Sequence, residues 1–201
     1  MARAGAPHYK IVALGKARGF TGIVPTAVND RGQIIGRMMT ADKELHGFLW
    51  QDGRFTDLGV GFVNGIDNAG RILFVYHYEG FLWQDGVLLP LGELSADGNE
   101  ADALNDHGDV AGAVVAGGPF KRAYVWRNGK GHLLPLLLPP SPEPNADWKT
   151  DVEKINDQDA VIGRAVPPDS DLQYVYLYQN GKTTLILPKG ASKGWPTADI
   201  E

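Results

Sequence analysis

Short apolar runs, cut at close intervals by Asn, Asp and Gly, come round four times along the chain. The first copy reads Val28-Asn29-Asp30-Arg31-Gly32-Gln33-Ile34-Ile35-Gly36, then Phe48-Leu49-Trp50-Gln51-Asp52-Gly53 and Asp57-Leu58-Gly59. The second reads Ile66-Asp67-Asn68-Ala69-Gly70-Arg71-Ile72-Leu73-Phe74, then Phe81-Leu82-Trp83-Gln84-Asp85-Gly86 and Pro90-Leu91-Gly92. The third is Leu104-Asn105-Asp106-His107-Gly108 with Tyr124-Val125-Trp126-Arg127-Asn128-Gly129, and the fourth Ile155-Asn156-Asp157-Gln158-Asp159 with Tyr176-Leu177-Tyr178-Gln179-Asn180-Gly181. Short apolar and aromatic runs bounded by turn residues predict β-strands rather than helices.

Each copy resolves into four strands, a to d. Asn or Asp opens the a–b turn through its side-chain bond to the backbone, and the glycine of the first three copies accepts the left-handed conformation that closes it. The fourth copy has Asp159 there and is expected to be the most strained. Strands c and d are joined by Asp52-Gly53, Asp85-Gly86, Asn128-Gly129 and Asn180-Gly181, the strongest short hairpin signal. From Asn29 to Asp67 and from Asp67 to Asn105 is 38 residues each, and from Asn105 to Asn156 is 51, the excess lying in the proline-rich stretch that begins at Pro139.

Four strands in about 40 residues match a propeller blade, so the expected fold is all-β: a β-propeller of about 40-residue four-stranded antiparallel blades, four full repeats plus a partial fifth. We expect a single repeat domain over residues 1–201, with repeats at about 25–59, 63–92, 101–136 and 152–188. Residues 9–15 match the pattern of a closing strand d, and 196–200 echo the start of a strand a. Together they predict an incomplete fifth blade that a partner or a second copy would fill, since an unpaired sheet edge invites association. Packing between blades is expected of Trp50, Trp83, Trp126 and Tyr178, which recur at one position, and of Val28, Ile66, Leu104, Ile155 and Ile200. Gly36, Gly112 and Gly163, recurring in strand b, predict a close approach that a strand c aromatic covers.

These residues resemble the bacterial HAF repeat, named for His-Ala-Phe, and the first copy is nearest with Gly32-Gln33-Ile34-Ile35-Gly36 and His46-Gly47-Phe48-Leu49-Trp50. The later copies replace that histidine by Glu79, Arg122 and Tyr174, so it does not read as catalytic. The resemblance supports the architecture, implies bacterial and secreted or cell-surface proteins, and brings no assigned catalytic residue.

A net charge of -5 without long runs of one sign offers no footprint for nucleic acid or an anionic membrane. Zero cysteines remove disulfide and thiol chemistry. Met1 to Pro7 has no apolar core of a signal peptide, and no stretch is long and apolar enough for a span. The turn aspartates lack the spaced carboxylates of a calcium loop, and Gly15-Lys16-Ala17-Arg18-Gly19 lacks the ending of a phosphate loop. No metal and no cofactor are therefore expected. The five histidines fall at unrelated repeat positions, and no catalytic residue is assigned.

The b–c and d–a connections vary between copies while the tight turns do not, which predicts a recognition face on a rigid scaffold. Its ligand-binding candidates are His77, Tyr78, Phe120, Arg122, Trp148 and Trp195, flat aromatics and polar groups suited to a glycan or a protein segment. The reading is a non-catalytic binding module. The alternatives are a polysaccharide-active enzyme using loop carboxylates among Glu93, Asp97, Glu100 and Asp102, and a structural unit of a larger assembly.

Overall fold

The computed structural model describes residues 10–92, 98–115, 121–135, 148–166 and 173–186. Among these residues sixteen strands make four antiparallel sheets, each built from four consecutive strands in simple up-and-down order. The first sheet holds β1 (Phe20–Val28), β2 (Ile34–Thr40), β3 (Leu45–Gln51) and β4 (Arg54–Val60), and the second β5 (Phe62–Ile66), β6 (Ile72–Tyr76), β7 (Glu79–Gln84) and β8 (Val87–Pro90). The third comprises β9 (Asn99–Leu104), β10 (Val110–Val115), β11 (Lys121–Arg127) and β12 (Lys130–Leu133), and the fourth β13 (Lys149–Ile155), β14 (Val161–Val166), β15 (Tyr174–Gln179) and β16 (Lys182–Ile186). No helix occurs among the described residues. The first strands begin ahead of the sequence-derived bounds of 25, 101 and 152, because pairing with the second strand extends back to Phe20, Asn99 and Lys149.

Local sequence explains the hairpins. Asp52, Asp85, Asn128 and Asn180 all take positive φ and each is followed by a glycine that does the same, the mirror-image turn whose twist suits two adjacent strands. Asp159 adopts φ 61° where the other a–b turns have glycine, and carries the strain expected of the fourth copy.

The cores lie between successive sheets. Ile35 and Leu49 of the first pack with Val63 and Phe74 of the second; Leu73 and Leu82 of the second with Ala101 and Tyr124 of the third; Ala111 and Val125 of the third with Val152 and Tyr176 of the fourth. Strand c contributes aromatics to the core at two positions, and the ring two residues before the tryptophan position is the more deeply buried. Phe48, Tyr124 and Tyr176, two residues earlier, are buried, as is Trp126, whereas Trp50, Trp83 and Tyr178 are half-buried and pack against the core clusters. The buried rings face Gly36, Gly112 and Gly163 across the ladder. A Cβ at Gly112 would run into the Glu100 carbonyl oxygen, so the glycine serves the backbone of strand a as well as the ring. In the second sheet Phe74 stands at that position and its partner Phe81 is only half-buried.

Two expectations about the first repeat are corrected. Residues 10–17 form no strand, since none of the described strands pairs with them. They lie against the first sheet all the same, with Ala17 buried beside Phe48 and Met38, and Trp50 Nε1 donating to the Leu14 carbonyl at 3.0 Å. Val28 is exposed although its counterpart Ile155 is buried, because no described sheet precedes the first. The expected strand at 196–200 lies outside the described residues.

Candidate functional site

Each first strand is interrupted at the same repeat position. The register of β1 with β2 slips at Thr26, of β5 with β6 at Asn64, of β9 with β10 at Asp102, and of β13 with β14 at Glu153. A β-bulge leaves one residue unpaired and re-aims its side chain. All four bulge residues line one cleft of about 520 Å³, which also takes in Arg37, Glu100, Lys121, Asp151 and Arg164. The fold therefore brings one variable side chain from every repeat to a common polar hollow.

The cleft is mixed in charge and internally tied. Lys121 Nζ lies 2.6 Å from Glu100 Oε2 and 3.8 Å from Asp151 Oδ1, and Arg164 Nη2 lies 2.7 Å from Glu153 Oε1. Asn64 donates to the Ala101 carbonyl at 2.8 Å, fixing the second bulge to the third sheet, and the Arg37 guanidinium sits 5.5 Å above the Phe62 ring. Burial pushes the Asp102 carboxyl up to about 6, with the charges of Glu100 and Asp151 adding to the effect and Lys121 opposing it. Burial depresses the Lys121 ammonium, but its bond to Glu100 and the charges of Glu100, Asp151 and Asp102 outweigh that and hold it above the ordinary lysine value. Near neutral pH the hollow thus offers carboxylate acceptors, amide and ammonium donors, and at Asp102 a carboxyl that can be either.

The residues expected on a recognition face fall in different places. His77 and Tyr78 form the two-residue turn between β6 and β7, both at positive φ, with Tyr78 exposed and the His77 ring 4.1 Å from that of Tyr76. Arg122 is a half-buried strand residue of β11. Trp148 is 3% exposed in the core between the third and fourth sheets, 6.0 Å from the Tyr174 ring, where it lines a small apolar pocket with Leu134, Tyr176 and Leu185. Phe120 and Trp195 lie outside the described residues. In the chain Thr26, Asn64, Asp102 and Glu153 share only a position, three before each turn Asn or Asp.

His46, the histidine of the HAF resemblance, ties strand c to strand d, its Nδ1 lying 2.9 Å from Asp57 Oδ1. On the turn side, His107, Asp109 and Asp159 come close enough to hold a metal ion. Arg127 already fills that place, its Nη2 lying 2.7 Å from both Asp109 Oδ2 and Asp159 Oδ1, and its guanidinium is held above its ordinary value by the Asp109 bond. The chain matches no protein-family model and no curated protein.

Proposed function

We propose that the chain is a β-propeller-like, non-catalytic binding module of the HAF-repeat kind whose ligand is a glycan held in the cleft between the inner strands. The observation that carries this reading is the convergence of the four bulge residues, Thr26, Asn64, Asp102 and Glu153, on one hollow. Sheet repeats alone need no bulge at that position, and side chains that differ between copies while sharing a location are suited to reading different hydroxyl groups along a chain of sugars. A glycan-array screen followed by calorimetry tests it. A saturable glycan ligand lost on Asn64→Ala and on Glu153→Ala, with an unchanged melting curve, is the expected result; a ligand indifferent to both, or none, overturns it.

A second reading as a polysaccharide-active enzyme is favoured by Asp102, whose carboxyl is poised near 6 beside Glu100 and Asp151 as a general acid would be. Turnover of a polysaccharide that Asp102→Asn abolishes, while glycan binding persists, would establish this reading over the first.

A further inference from the structure

We propose that a second copy of this chain docks head to tail on the protein, its first sheet lying over the open face of the fourth. The contact between successive sheets is built three times from the same repeat positions. Ile35 of the first sheet packs with Val63 and Ile66 of the second, Leu73 with Ala101 and Leu104 of the third, and Ala111 with Val152 and Ile155 of the fourth. Ile35, Leu73 and Ala111 are wholly buried as a result.

The first and fourth sheets hold the two halves of one more such contact. Ile162 takes the position of Ile35, Leu73 and Ala111 and is 40% exposed, and Val175 and Ile186, on the same face by the alternation of the strands, are exposed as well. At the other end Pro25 and Val28 take the positions of Val63 and Ile66, and both are exposed, Val28 at 65%. The segment ahead of the first sheet leaves them open, since Ala17 and Leu14 meet Met38, Phe48 and Trp50 on β2 and β3, whereas Pro25 and Val28 stand on β1. Terminal repeats of a stacked array stay apart when their outer faces are polar, and these two ends present apolar residues instead.

Hydrogen bonding at the a–b turns is left incomplete in the same way. Asp30, Asn68 and Asp106 each donate a backbone N–H to the side chain of the corresponding residue in the next sheet. Among the described residues Asp157 has no next turn to donate to, and Oδ1 of Asp30 receives no N–H from a preceding one. Asn29 and Asn105 likewise donate to the carbonyls of Asp67 and Asn156, while the amide of Asn156 turns back to Gln158. Charge agrees: Lys154 stands on the open face of the fourth sheet, where the others have Ala27, Gly65 and Ala103, and Asp30 stands at the first. Open donors on the fourth sheet and open acceptors on the first specify the partner, because one copy's fourth sheet complements another's first and not its own kind. A contact between unlike ends closes into a ring or continues as a filament. It uses none of the four bulge residues, and neither it nor the glycan reading depends on the other.

Sedimentation velocity of the full chain from about 1 μM to about 1 mM tests it. Association that grows with concentration is expected, weakened by about tenfold or more in Ile162→Glu and in Val28→Glu, since either change sets a carboxylate into the contact. An equimolar mixture of the two variants should regain association and stop at pairs, because each supplies the end that the other lacks. Both side chains are exposed, so the dilute variants should melt as the wild type does; Val175→Glu and Pro25→Glu replace them at the same two ends should they not. Leu89→Glu, on the exposed edge of the second sheet, should associate as the wild type does. A chain that stays monomeric throughout, or association indifferent to the end variants, overturns the proposal. So does loss in Ile162→Glu without loss in Val28→Glu, which would mean that two fourth sheets meet, a mixture of the variants that stays monomeric, or loss in Leu89→Glu, which would put the contact at a sheet edge.

Discussion

The backbone N–H of Asp106 donates to Oδ1 of Asp157 at 2.9 Å, joining turns 51 residues apart in the third and fourth sheets. The same bond runs from Asp30 to Asn68 at 2.8 Å and from Asn68 to Asp106 at 2.7 Å, so the second residue of each a–b turn is stitched to its counterpart in the next sheet. Further donors run in the same direction. Asn29 and Asn105 reach the carbonyls of Asp67 and Asn156, and where Asp67 has no amide to offer, Arg71 donates to the Asp106 carbonyl instead.

Asn68 is the hinge of this ladder, since its Nδ2 also donates to Asp30 Oδ2 at 2.9 Å and to Asp106 Oδ2 at 2.7 Å. Asn68→Ala should cost about 1–2 kcal/mol in denaturant unfolding. Asn68→Asp should cost more at low salt than at high salt, because it keeps the acceptor and sets a third carboxylate between two others.

Gly112 and Gly22 separate close approach from mere openness. A Cβ at Gly112 would run into the Glu100 carbonyl oxygen, whereas none of the surroundings come within 4 Å at Gly22. Gly112→Ala should lose more than about 3 kcal/mol because two backbones must part, and Gly22→Ala should change stability by less than about 1 kcal/mol. Equal losses in thermal melts would place the cause elsewhere.

Ile35, Leu73, Ala111 and Ile162 share one repeat position, and the first three are wholly buried under the following sheet while Ile162 is 40% exposed. Leu73→Ala should cost about 2–5 kcal/mol in chemical denaturation. Ile162→Ala should cost under about 1.5 kcal/mol, having less to uncover. A reversal would mean that the face of the fourth sheet is covered in solution.

Asp102 has a carboxyl raised from 3.8 to about 6, so between those values the folded state holds a proton that the unfolded chain has lost. Its favourable contribution is full below the unfolded value and lost as pH rises through the folded one. Asp102→Asn should therefore raise the melting temperature above pH 6, with a gain that shrinks on acidification and vanishes at pH 3.8 and below. A gain independent of pH would show that the carboxyl titrates normally.

Features set by neighbours in sequence were legible without the fold. Asp52-Gly53 and its three equivalents specify their hairpins because two adjacent left-handed residues admit little else, and the spacing of Asn29, Asp67, Asn105 and Asn156 counts the sheets. The side-chain role expected of those turn residues holds: Asn105 Oδ1 accepts from the backbone N–H of His107 at 3.1 Å and of Asp109 at 2.9 Å.

Only the tertiary structure decided what one repeat does to another. Alternation with period 2 says that Phe48 and Trp50 share a face, and nothing in it says that the first is sealed while the second stays half-open, since that depends on where the adjoining layer ends. Residues 9–15 carry the pattern of a strand, but a strand needs a partner's N–H and C=O groups, and none of the described residues supplies them. Thr26, Asn64, Asp102 and Glu153 are unremarkable polar residues until a register slip in four separate ladders turns them into one hollow. Turns are written in the few residues that make them, whereas burial, bulge direction and the meeting of side chains 38 or 51 residues apart are set by packing between sheets.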